Sequence, residues 1–214
     1  MRIWAAGLGA AVLVAGAGSA ALAAPPSVFE ATGIFHSVTE GGAQDVGLTI
    51  AFKSGHVRIE TRSKAAGTSI IVVDKGNDDV AMIDPSQKVV VHMKPSMLKA
   101  ADGADAGALS SYQGMLDPAH FRTFILEHGG HKVGPGPGIL GHRTTVYEAT
   151  RKGSEMKVWL ANDLSLPLKI EGRSAAGVSF DVNITSLNLH PAFGAHFFDA
   201  TPPGYTDIRA QPNK

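Results

Sequence analysis

Apolar residues recur in this chain with a period of two over most of its length, and that pattern commits it to sheet. Leu48, Ile50 and Phe52 alternate with Thr49, Ala51 and Lys53; after a turn at Ser54-Gly55, Val57 and Ile59 alternate with Arg58 and Glu60. Successive side chains on a strand point to opposite faces, so this spacing predicts a hairpin with one buried face. Ile70-Ile71-Val72-Val73 is a continuous apolar run, as expected of a central strand covered on both faces. Turns at Asp74-Lys75-Gly76-Asn77-Asp78 and Asp84-Pro85-Ser86-Gln87 lead to strands at Val80 to Ile83 and Val89 to Met93. Such short connections predict a meander.

A second meander is expected from Thr144 to Ala149, Met156 to Leu160, Leu166 to Glu171 and Val178 to Leu189, followed by a short return strand after Pro202-Pro203-Gly204. In its last long strand Phe180, Val182 and Ile184 hold one parity, whereas Leu187 and Leu189 hold the other. A one-residue phase slip near Thr185-Ser186 predicts a β-bulge, which bends and twists a sheet. The count comes to about ten or eleven strands, enough for a strongly curved open sheet or an incomplete barrel. Alternation separates the two faces of each strand without saying which is concave.

Between the meanders lies one helical pattern. Asp117 can cap it with Pro118 at the first position; Phe121, Phe124, Ile125 and His128 follow at helical spacing, and Gly129-Gly130 ends it. Its apolar side needs an apolar surface, and the concave face of the sheet is the natural one. The stretch from Lys99 to Gly114 reads as a mobile loop, and Gly134-Pro135-Gly136-Pro137-Gly138 as a hinge-like connector.

The N-terminus sets the compartment. Arg2 is the only charge before Glu30, the intervening run is rich in Ala, Gly, Leu and Val, and Ala21-Leu22-Ala23 suits cleavage. Residues 1–23 are read as a secretory signal peptide and 24–214 as a single exported domain, expected in the periplasm. Removing Arg2 from 19 basic residues leaves 18 against 19 acidic ones, without the basic stripe of a nucleic-acid binder. The absence of cysteine excludes disulfides, thiol catalysis, Cys-ligated zinc and lipoprotein acylation.

Candidate chemistry is thin. His128, His131 and His142 suggest a metal cluster, but Gly129-Gly130 separates the first pair at a helix end, and no carboxylate spacing completes a zinc motif. Ser110-Ser111 has no G-x-S-x-G context, and Asp78-Asp79 lies in a turn. Asn183-Ile184-Thr185 matches a glycosylation sequon but sits mid-strand, and Trp159 belongs to the face opposite Val158 and Leu160. No catalytic residue and no cofactor are expected.

The order of elements, with Ser69-Ile70-Ile71-Val72-Val73-Asp74-Lys75-Gly76, the Asp84-Pro85 turn, the helical insert, the second meander and the ending Phe197-Phe198-Asp199-Ala200-Thr201-Pro202-Pro203-Gly204-Tyr205, resembles the periplasmic lipoprotein carriers of LolA and LolB type. It is closest to their lipoprotein-sorting-like and DUF4412-like relatives. The resemblance implies a mainly β fold: an open, strongly curved antiparallel half-barrel of about eleven strands with a helical lid or plug on the concave face. It also implies a hydrophobic cavity for a lipid, acyl chain or lipoprotein, and a basic residue that holds the lid. Lys53, Arg58 and Arg62 are the candidates for that contact. Leu48, Ile50, Phe52, Val57, Ile59, Phe121, Phe124, Ile125, Val158, Leu168 and Phe180 are the candidates to line the hollow. A membrane-bound donor or acceptor protein is the expected partner of a monomer that binds no nucleic acid. The alternatives are an envelope interaction protein with a filled core and, last, a His-dependent metal protein.

Overall fold

A computed structural model describes residues 25–39, 41–74, 76–77, 79–94, 121–127, 129–151 and 153–209. The leader, the Lys99 to Gly114 segment, Ser110-Ser111, the Asp117-Pro118 cap, Asp78 and His128 fall outside these residues.

The first six strands are β1 (Val28–Thr39), β2 (Gly42–Lys53), β3 (His56–Ser63), β4 (Gly67–Asp74), β5 (Asp79–Asp84) and β6 (Val89–Met93). A short helix α1 (Phe121–Glu127) precedes β7 (His131–Pro135), β8 (Thr144–Arg151), β9 (Ser154–Ala161), β10 (Pro167–Arg173), β11 (Ser179–Asn188) and β12 (Thr206–Arg209). All twelve form one sheet in the order β12-β6-β5-β4-β3-β2-β1-β11-β10-β9-β8-β7. The edges β12 and β7 do not meet, so the sheet is an open half-barrel. It has twelve strands where about eleven were expected. Its pairings are antiparallel except one, β12 running parallel to β6.

The two meanders join through β1, which pairs with β2 on one side and β11 on the other. Beside β1 the ladder slips where the sequence phase slips: Thr32 opposes Ser186 but Gly33 opposes Ile184, leaving Thr185 as the extra residue. This bulge returns Leu187 to the face of Ile184 and Val182, opposite Ala31. The inward set of β11 is thereby preserved across a local bend.

Each face of the sheet has its own cover. The inner face gathers Phe29, Ala31, Leu48, Ile50, Val57, Ile59, Val73, Val80, Tyr147, Ala149, Val158, Leu160, Ile170, Val182 and Ile184 into one buried cluster with Phe121 and Ile125 of α1. On the outer face of β4 to β6, Ile70, Val72, Ala81, Ile83 and Val90 form a second cluster under Ala200 and Tyr205. The continuous apolar run of β4 thus serves two cores, as a doubly covered strand must.

Helix α1 ends as its glycines dictate. Gly129 has a φ of 82°, its N–H donates to the Leu126 carbonyl at 3.2 Å, and that of Gly130 donates to the Ile125 carbonyl at 2.9 Å. This paired closure satisfies carbonyls that the last turn would otherwise orphan, and its left-handed residue favours glycine. The Gly-Pro segment that follows departs from the expected hinge. Gly134 and Pro135 belong to β7, the Gly136 N–H donates to the Thr144 carbonyl at 2.9 Å, and Thr144 Oγ1 donates to the Pro137 carbonyl at 2.7 Å. Hydrogen bonds on both sides of Gly136 make this a strap laid along β8.

Candidate functional site

The ladders decide which side chains share the inner face. Phe52 stands opposite Val57, and Ile50 opposite Ile59; Val57 opposes Val73 in turn. Across the other half, Ile170 opposes both Val158 and Val182. Most of the expected lining residues are therefore brought together: Leu48, Ile50, Val57, Ile59, Val158, Phe121 and Ile125 are buried in the inner cluster, with Phe52 and Phe180 packed against it. Phe124 meets Phe121 at a ring separation of 6.4 Å and is half-buried.

Leu168 is fully buried at a register shift in β10. It borders a slot whose other walls are Phe29, Ala31, Ile50, Leu166, Pro167, Ile184 and Leu187. The void there is about 20 Å³, room for roughly one water-sized body. Its walls carry no charged side chain, so an apolar group is the only occupant they suit. Sequence reasoning missed most of these walls. Phe29 and Ala31 lie in β1, where the inward row reads Phe29, Ala31, Gly33 and Phe35 and the small residues dilute the alternation.

The basic candidates lie elsewhere. Arg58 and Arg62 share a parity opposite to that of Val57 and Ile59 and so occupy the outer face, where both meet Glu60, at 3.4 and 2.6 Å. Arg58 also places its guanidinium 4.9 Å above the ring of Phe197 and donates from Nη1 to the Phe197 carbonyl at 3.3 Å. Phe197 stacks on Phe193 at 4.6 Å and meets Phe198 edge-on at 5.0 Å. Arg58 is therefore an anchor for the C-terminal segment and is turned away from α1. Lys53 is exposed at the end of β2.

The two described candidate histidines, His131 and His142, do not come together. His131 is exposed on β7, while His142 binds Asp163 at 2.8 Å. Among the described residues no three His, Cys, Asp or Glu side chains converge in a way that could hold a metal ion. Trp159 lies on the outer face, under the ammonium groups of Lys169 and Lys157 at 4.8 and 5.5 Å.

One constellation gave no sequence signal, because its members are far apart in the chain. His92 Nδ1 lies 2.7 Å from Asp79 Oδ2, and its Nε2 lies 2.9 Å from Thr201 Oγ1. Carboxylate, imidazole and hydroxyl thus stand in the order of an acyl-transfer triad. The residue after the hydroxyl is Pro202, which has no N–H to offer an oxyanion at the place where such sites draw one. The arrangement fastens the C-terminal segment to the sheet.

No family model matches the sequence, and no curated protein matches it. Solved structures do share the fold. An uncharacterised conserved protein from Thermus thermophilus superposes with a TM-score of 0.58 at 9% identity, over 86% of this chain and 91% of that one. MucB gives a TM-score of 0.49 at 16% identity, over 88% of this chain and 62% of that one. A LolA superfamily protein from Nitrosomonas europaea gives 0.41 at 11% identity, over 83% and 93%. Likeness this remote speaks of fold alone. The architecture is the one the LolA and LolB resemblance implies, an open half-barrel with a helix against its inner face. Among the described residues no helix is long and apolar enough to cross a membrane.

Proposed function

We propose that this chain is an exported, periplasmic carrier or binding protein that holds a lipid, an acyl chain or an acylated protein against the inner face of its half-barrel, without covalent chemistry. One observation carries the reading: an unbroken apolar wall runs across the inner face from Val80 on β5 to Tyr147 on β8, and helix α1 lays Phe121 and Ile125 against it. Hydrocarbon is what such a wall attracts. Each methylene buried there contributes about 0.8 kcal/mol.

The slot beside Leu168, at about 20 Å³, is too small for an alkyl chain. Loading therefore requires α1 to move, with Phe121, Phe124 and Ile125 acting as a plug that the ligand replaces. Leu48, Ile50, Phe52, Val57, Ile59, Val158, Leu168 and Phe180 then form the wall. The leader at residues 1–23 would deliver the protein to the periplasm, where a membrane-bound donor or acceptor would exchange cargo with the monomer.

The same small void favours a second reading, an envelope interaction protein whose core is already filled. Native mass spectrometry and lipid extraction of the purified mature protein separate the two. Co-purifying phospholipid or fatty acid supports the carrier; an empty protein that also refuses added fatty acid supports the filled core.

A further inference from the structure

We propose that His92 is a proton-sensitive latch, which holds the C-terminal segment on the outer face more tightly when its imidazole is charged. This rests on the outer face alone and stands whether or not the inner face carries a ligand.

His92 is 7% exposed on β6 and is wedged between two carboxylates. Asp79 of β5 takes its Nδ1 side at 2.7 Å; on the Nε2 side stand Thr201 Oγ1 at 2.9 Å and Asp207 Oδ1 of β12 at 3.7 Å. Among the described residues, Asp84 lies at the far end of β5, and Asp199 of the C-terminal segment is taken by His196 at 2.8 Å. Asp74 opposes Asp79 and lies 3.9 Å from His56, Arg209 lies 3.8 Å from Asp207, and Lys94 donates to the Asn77 carbonyl at 3.4 Å.

A neutral imidazole has one N–H. Donated to Asp79, it leaves Nε2 as an acceptor for the Thr201 hydroxyl, and Asp207 gains nothing from the ring. A charged imidazole donates from both nitrogens and attracts Asp79 and Asp207 together. It thereby ties β12 to β6 by a charge-assisted contact in a partly desolvated place.

The latch matters because β12 is a short edge strand, tied to the sheet by its ladder with β6 and by the Thr206 N–H on the Lys88 carbonyl at 2.8 Å. Among the described residues it is four exposed positions paired with β6 alone, and so belongs to the part of a fold that opens first. Its release would uncover the outer cluster now shielded by Ala200 and Tyr205.

Hydrogen exchange of the full mature chain between pH 5.5 and 8, corrected for intrinsic rates, tests this. Protection of the Thr206–Arg209 segment should fall several-fold across that range, while the β8–β9 hairpin stays unchanged. His92→Gln should flatten the profile. Asp207→Asn, on an exposed strand and so harmless to folding, should remove most of the pH dependence. Wild-type protection that ignores pH, or an Asp207→Asn protein that keeps the wild-type profile, would overturn the latch.

Discussion

The Cα of Gly33 approaches the carbonyl of Asn183 so closely that a Cβ at position 33 would collide with that oxygen and crowd Ile184. The contact sits at the register shift where Thr185 is extruded from the β1–β11 ladder. Bend and glycine therefore belong together: the bulge brings backbone against backbone, and only a residue without a side chain admits it.

Gly33→Ala is accordingly expected to destabilise the fold by about 1–3 kcal/mol, the usual cost of forcing atoms into a packed site. Urea denaturation should read it as a lower midpoint at an unchanged slope. A wild-type midpoint would mean that the β1–β11 seam is loose.

The C-terminal segment should respond separately from the inner core. Arg58→Ala removes the ring contact with Phe197 and the bond to its carbonyl, a loss of about 1–2 kcal/mol. Limited proteolysis should then cut between Phe193 and Asp199 sooner than in wild type, with α1 and the inner wall protected as before. Faster cleavage throughout the chain would instead place Arg58 in the global core.

Two surface groups give opposite pH signatures. His36 binds Asp45 at 2.6 Å. That hydrogen bond, opposed by desolvation and aided by the charges of Asp45 and Asp181, raises His36 above the usual imidazole value. A raised value means that its stabilisation is full below the unfolded-state value near 6.5 and is lost as pH rises through the folded value. Asp45→Asn should abolish that dependence, and an NMR titration of the His36 ring should move downward in the variant.

Asp84 has the other sign. The Ser86 hydroxyl, then the N–H groups of Gln87 and Ser86, hold its carboxyl below the usual aspartate value, against desolvation. Its contribution is present above pH 3.8 and is lost as pH falls through the folded value. Asp84→Asn should therefore weaken the β5–β6 turn at neutral pH and make no difference in strong acid, as read by melting temperature across pH.

Much of this was legible in the sequence where alternation was clean. The hairpin of β2 and β3, the doubly covered β4, the helix over Phe121 and Ile125, and the bulge at Thr185 all follow from the spacing of large apolar residues. What escaped has physical reasons. β1, the strand that joins the two halves, carries Ala31 and Gly33 on its inward row, where packing needs small residues and periodicity therefore fades. β7 is an edge strand with exposed positions, and its Gly-Pro ending reads as irregular backbone. Arg58 and Arg62 were readable as one face of a strand, but which face is concave depends on the curl of the whole sheet. The contacts of His92 with Asp79 and Thr201 join residues up to 109 positions apart, beyond any local pattern.

The inner face carries the central claim, and equilibrium titration of the purified mature protein with a fluorescent fatty acid tests it most directly. Saturable uptake near one chain per protein is expected, weakened at least tenfold by Ile50→Glu, which sets a charge on the wall, and altered by Phe121→Ala, which shortens the plug. A folded protein that takes up no fatty acid, or one whose uptake is untouched by Ile50→Glu, would contradict a carrier that works through this face.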